Sequence, residues 1–185
     1  MKLAYKAFED GLICRGYRFA FPGINTTEKA NCRQNGFHCA ENPFDCLKYY
    51  PNIKGTVFAI VSAGGDLDED DIDSKITCTE MEIKKLLSTQ DFFLHCLKYY
   101  ANHLGRSYPA IKPERGVAQN GYTIVAGRDP LAKGKRGDYI CMIKQVTPDT
   151  MPTNFAILHI DGRTYHADTF YDVYGKERED DAEEA

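Results

Sequence analysis

Thr56-Val57-Phe58-Ala59-Ile60-Val61-Ser62 is the stretch that decides the fold. It is β-branched and almost wholly apolar, and Gly64-Gly65 follows it. Such a run suits a strand covered on both faces, and so the centre of a sheet. Upstream, Gly36-Phe37-His38-Cys39-Ala40 reads as a short strand feeding a helix start. Asn42 is an N-cap type, Pro43 fits the first helical position and Asp45 the first turn, so a helix is expected over Phe44–Tyr50, stopped by Pro51. Further out, Leu3–Phe8 alternates as an opening strand ended by Asp10-Gly11. Leu12–Phe21 reads as a second extended piece, and 24–35 as a polar connection.

Downstream of the central strand, Lys75–Cys78 and Glu80–Leu87 read as strands. Ser88 then caps a helix, with Asp91 three residues on and Phe92, Phe93, Cys96, Leu97, Tyr100 and Leu104 on its apolar face. Beyond Gly105 the pattern changes. Residues 106–118 carry Pro109 and Pro113 and read as a linker, and short strands follow at 122–126, 139–146, 155–160 and 164–174. The expected organisation is an α+β domain over 1–105, a linker over 106–118, a β-rich hairpin region over 119–175 docked on the first domain, and an acidic tail over 176–185. The fold class is α+β: a mixed sheet with two helices and a C-terminal all-β hairpin region.

The 185 residues are 43% hydrophobic and 27% charged, which excludes a wholly disordered chain and a coiled coil. No apolar run is long enough to span a bilayer, and the start lacks an apolar signal region, so a cytoplasmic setting is expected. The seven cysteines are odd in number and lack any CxxC pair, which favours free thiols over a disulfide framework. Cys32, His38, Cys39 and Cys46 fall close together, but their spacing is not that of a zinc site, and no metal is expected.

The net charge of −4 hides a segregation. Residues 66–73 carry six acids, and 177–185 carry six more against Arg178; without these segments the chain has 22 cationic and 15 acidic residues, a net of +7. The spacing of Asp66, Asp68 and Asp70 is that of a calcium loop, but Asp71 and Thr77 stand where that loop needs glycine and glutamate. The segment is expected to dock on a basic surface of a partner through Asp68, Asp70 and Asp71. Lys133, Lys135 and Arg136 cluster at an expected hairpin tip and are the candidates for phosphate contact. Cys46-Leu47-Lys48-Tyr49-Tyr50 recurs as Cys96-Leu97-Lys98-Tyr99-Tyr100 without a longer repeat around it, as two helix ends with the same demand would give.

Cys14-Arg15-Gly16-Tyr17, Gly36–Asp45 with Tyr49-Tyr50, and Asp73-Ser74-Lys75 together resemble an uncharacterised domain-of-unknown-function family common in bacterial phages and mobile elements. The ending Asp161–Tyr171 is similar to the endings of such proteins. The resemblance implies a phage or prophage origin and no particular chemistry. Small phage proteins without a virion role often act against host defence, so the expected function is that of a binding protein. It would inhibit a host-defence protein or ribonucleoprotein, as an anti-CRISPR protein does, without catalysis and without a cofactor.

The order of strands also resembles the ADP-ribosyltransferase fold. That resemblance implies NAD as cofactor, with Arg15 holding it and Glu80 or Glu82 as the late acid. The departures from that family's pattern make a non-catalytic version the better fit. A nucleic-acid-binding module using the basic body is the third reading.

Overall fold

The computed structural model describes residues 1–30, 35–69 and 74–179. Cys32, Asp70 and Asp71 lie outside the described residues. The chain forms two compact units, Met1–Cys96 and Leu97–Ala185, and their boundary falls inside a helix. The fold is predominantly β with two helices among the described residues, which is consistent with an α+β class.

The first unit holds β1 (Lys2–Glu9), β2 (Ile13–Cys14), β3 (Tyr17–Arg18), β4 (Ile24–Thr26), β5 (Phe37–Ala40), α1 (Pro43–Tyr49), β6 (Thr56–Glu69) and β7 (Lys75–Leu87), and α2 (Thr89–Asn102) begins in it. Strand β6 pairs with β1 along one edge and β7 along the other, the central place its composition predicts. Strand β7 also pairs with β5, and β5 returns to β1 through Tyr5 and Ala40. The hydrogen-bonded path β1–β6–β7–β5 therefore comes back to its start, and every pairing in it is antiparallel. Phe8, Val61, Ile76, Cys78, Met81 and their neighbours fill the core.

Strand β6 is twice as long as expected. It passes through Gly64-Gly65 as an irregularity and continues to Glu69, so Asp66 and Asp68 are strand residues. Gly65 has φ +69°, and a Cβ there would collide with Thr79 Oγ1. That hydroxyl accepts the Asp66 N–H at 2.9 Å. The glycine thus permits a bulge that the sequence pattern reads as a strand end. The stretch 12–21 makes a hairpin, β2–β3, rather than one extended piece, and 24–26 form a strand where a connection was expected.

The second unit holds β8 (Ile111–Val117), β9 (Tyr122–Lys133), β10 (Tyr139–Lys144), β11 (Asn154–His159), β12 (Phe170–Tyr171) and β13 (Glu177–Arg178). The expected linker 106–118 thus contains strand β8. The parallel pairs of a mixed sheet occur here, β8 with β9 and β9 with β10, where hairpins were expected; among the described residues the first sheet has none. Against β8, the register on β9 jumps from Ala126 to Leu131 while β8 advances only from Pro113 to Arg115. Glu114 tucks its carboxylate into this gap and accepts the N–H groups of Arg128 and Asp129. An irregularity of this kind bends the strand locally. Of the expected strand 164–174 only Phe170–Tyr171 pairs, because Asp161 Oδ1 accepts the N–H groups of Arg163, Thr164 and Tyr165 and winds the start into a turn. These bonds hold the Asp161 carboxyl well below the usual carboxylate range. The acidic tail is anchored at its start: Glu177–Arg178 pairs with β12, and Arg178 grips Asp172 at 2.6 Å.

Candidate functional site: a cationic cavity in the first unit

The helix α1 begins as its sequence predicts. Asn42 caps it, its side chain accepting the Phe44 N–H at 3.0 Å, with Pro43 in the first turn. Asp45 has a different task from capping. Its Oδ2 accepts both the N–H and the hydroxyl of Ser74, at 3.2 and 2.7 Å. Ser74 Oγ in turn accepts the Asn42 N–H at 2.8 Å. This interlock fixes the start of β7, and with it Lys75, against the helix that carries Lys48 and Tyr49.

A cavity of about 710 Å³ opens beside this interlock. Lys6, Arg15, Lys48 and Lys75 bring four cationic side chains to it, against the acids Glu9 and Asp45. Asp45 is already committed to Ser74. The Lys75 ammonium sits 4.1 Å from the centre of the Tyr49 ring, and that of Lys48 sits 5.5 Å from it. Arg15 stands at the turn of the β2–β3 hairpin with φ +51°, a left-handed conformation that disfavours a side chain with a Cβ. Strain of that kind in a non-glycine residue, facing a cavity, is often retained for a binding role.

Lys6 is the least ordinary of the four. It is only 4% exposed. Its ammonium donates to the His38 carbonyl at 2.6 Å and to Cys14 Sγ at 3.6 Å, and lies 5.2 and 5.1 Å from the centres of the Phe8 and Phe19 rings. A buried charge is tolerated only with such partners. The Tyr50 hydroxyl donates to the same sulfur at 3.2 Å. Burial, then Lys6, Lys75 and Arg15, lower the His38 pKa from 6.5 to about 4, so the imidazole is neutral at physiological pH. Burial pushes the Cys46 thiol up to about 12, and contact with Cys78 together with burial pushes Cys39 up as well.

The expected site residues are dispersed. Arg15 lines the cavity; Glu80 and Glu82 do not. They lie further along β7, where it pairs with β4 and β6, and Glu82 pairs with Lys84. Asp68 is exposed on β6, and Asp70 and Asp71 fall outside the described residues. Lys133, Lys135 and Arg136 belong to the second unit; the Lys133 ammonium lies over Phe170, 4.4 Å from the ring centre. Among the described residues no group of acids, histidines and cysteines could hold a metal ion, and Cys32 lies outside them. No helix among the described residues is long and apolar enough to cross a membrane.

Sequence reasoning missed Lys6, Lys48 and Lys75 as a set. The signal was present in another form: the segments Cys14-Arg15, His38–Asp45, Tyr49-Tyr50 and Lys75, which carry the resemblance to the uncharacterised family, all contribute to this one cavity. Residues 2–95, just over half of the chain, match the domain of unknown function DUF7666. The chain belongs to that family, and the cavity lies wholly within the matched segment. No curated protein and no solved structure matches the chain.

Proposed function

We propose that the protein acts by binding rather than turnover, and that its family domain captures a phosphate-bearing group of a partner macromolecule in the cationic cavity. One observation carries this reading: the four cations Lys6, Arg15, Lys48 and Lys75 line one cavity together with the acids Glu9 and Asp45, the latter engaged by Ser74, among the described residues. A volume of about 710 Å³ exceeds what a bare ion needs and falls in the range of small-molecule sites. It suits a phosphate carried on a larger group. Arginine and lysine in such a concave site recognise phosphate by charge and directed hydrogen bonds. In the inhibitor form of this proposal, the partner is a host-defence ribonucleoprotein, which presents phosphates in quantity.

The ADP-ribosyltransferase reading, with NAD, has less support, since Arg15 lines the cavity without Glu80 or Glu82. The test is calorimetric titration of the full chain with inorganic pyrophosphate, with acetate as the control. Saturable pyrophosphate binding is expected, weakened at least tenfold by Arg15→Ala and by Lys75→Ala and unchanged by Lys135→Ala. Absence of binding, or equal loss with Lys135→Ala, overturns the reading.

A further inference from the structure

The hydrogen bonds of Lys6 leave a charge problem open. The residue is only 4% exposed and lines the cationic cavity. Its ammonium meets the His38 carbonyl, Cys14 Sγ and the Phe8 and Phe19 rings, and none of these is a carboxylate. Among the described residues no acid forms an ion pair with it. Buried charges are ordinarily paired with a counter-charge, because a lone one loses its hydration without return. The cavity is the route by which an anion reaches this ammonium.

The charge of the whole cavity says what kind of anion fits. Lys6, Arg15, Lys48 and Lys75 carry four positive charges and Glu9 and Asp45 two negative ones, a net of +2 among the described residues. His38 is neutral at physiological pH and adds none. A phosphate monoester carries about −1.5 to −2 near neutral pH, whereas an internal phosphodiester carries a single charge. Shape points the same way. An internal phosphodiester brings a flanking nucleotide on each side, and both must leave a concave site; a strand end brings one. The lining also includes Tyr5, Tyr49 and Tyr50, aromatic surface of the kind that receives a base beside its phosphate.

Building on the phosphate reading above, we propose that the ligand of this cavity is the terminal phosphate monoester of a single-stranded nucleic acid, and that Lys6 is the buried cation its charge neutralises. Arg15, Lys48 and Lys75 supply the rest of the positive charge. The cavity thereby distinguishes a strand end from the body of a strand, which a surface patch of lysines does not.

The experiment titrates the full chain with a single-stranded thymidine hexanucleotide that carries a 5′-phosphate, a 3′-phosphate, the methyl ester of either phosphate, or hydroxyl groups at both ends. A free terminal phosphate, at the 5′ or the 3′ end, is expected to bind at least tenfold more tightly than the hydroxyl-ended strand and than its own methyl ester, which keeps the phosphate but loses the second charge. Lys6→Met is expected to abolish that preference, and a preference intact in the folded variant overturns the proposal. Should Lys6→Met fail to fold, Lys75→Ala at a partly exposed position is expected to reduce the preference at least threefold, with Lys135→Ala leaving it unchanged. Equal binding of free phosphate, methyl ester and hydroxyl-ended strand overturns the proposal, as does tighter binding of a tyrosine-phosphorylated peptide. If pyrophosphate binds while the strands show no preference, this assignment falls and the phosphate reading stands. If neither pyrophosphate nor any strand binds, both fall.

Discussion

The same five residues, Cys-Leu-Lys-Tyr-Tyr, occur in α1 and its cap as Cys46–Tyr50 and in α2 as Cys96–Tyr100, and the two copies do different things. The local demands are shared: the cysteine and leucine of both copies are buried, and the lysine is exposed. The tyrosines diverge. Tyr49 is exposed beside two lysines at the cavity, whereas Tyr99 stacks on His103 at 4.0 Å. Tyr50 lies just past its helix and donates to Cys14, while Tyr100 is inside its helix, buried, and accepts the Gln145 amide at 2.6 Å. Helical periodicity places the apolar face, but the tertiary partner decides whether a tyrosine serves packing or a site.

The largest expected effect tests the buried copy. Tyr100→Phe leaves the amide of Gln145, itself 5% exposed, without its acceptor. A stranded buried donor costs about 1–3 kcal/mol, so the urea midpoint of this variant should fall by a corresponding amount. A midpoint like that of the wild type would mean that the second copy is no more committed to the core than the first.

Next in size is the cap of α1, the helix that carries the first copy. Asn42→Ala removes the acceptor of the Phe44 N–H and should destabilise the protein by about 0.5–2 kcal/mol in the same assay. Alanine keeps the Asn42 N–H that Ser74 accepts, so any effect on Lys75 and pyrophosphate binding should come through loosening of the first turn that holds Asp45 against Ser74. Stability lost with binding intact would separate the cap from the cavity.

These two helices were legible in the sequence because capping and apolar spacing are local. The central strand was legible because its composition suits burial on both faces. The cavity was not, since Lys6, Arg15, Lys48 and Lys75 come from β1, a hairpin turn, α1 and β7, and only closure of the β1–β6–β7–β5 path brings them together. The parallel pairing of β8, β9 and β10 was hidden for a related reason. Strand direction is set by long-range pairing, and the β8–β9 pair also carries an irregularity at Glu114, a non-glycine residue at φ +54°, which no periodicity announces.

Arg15→Gly divides stability from function at the cavity. Glycine accepts φ +51° without strain, so the variant should be as stable as the wild type or about 1 kcal/mol more so, while losing the guanidinium and pyrophosphate affinity. A less stable variant would make Arg15 a structural residue of the hairpin. His38 gives a pH signature of the same region. Its folded pKa is lowered to about 4 from 6.5, so between those values the unfolded chain binds more protons than the folded one. Stability should therefore fall as pH drops from about 6.5 to about 4 and then cease to depend on this group. His38→Asn should flatten that part of the stability–pH curve, and an unchanged slope would place the titrating group elsewhere.

The smallest expected effect is the most pointed test of the comparison. Tyr50→Phe is the same change as Tyr100→Phe, made at the same place in the repeated five residues. Its hydroxyl meets a sulfur, a weak acceptor, and the residue is only half-buried, so no polar group is stranded away from water. The loss of stability should stay below about 0.5 kcal/mol, within the range of surface changes. Equal destabilisation by the two phenylalanine variants would mean that local sequence, not the tertiary partner, sets the role of each tyrosine pair. Unequal destabilisation, large for Tyr100→Phe and small for Tyr50→Phe, commits the second copy to the core and not the first.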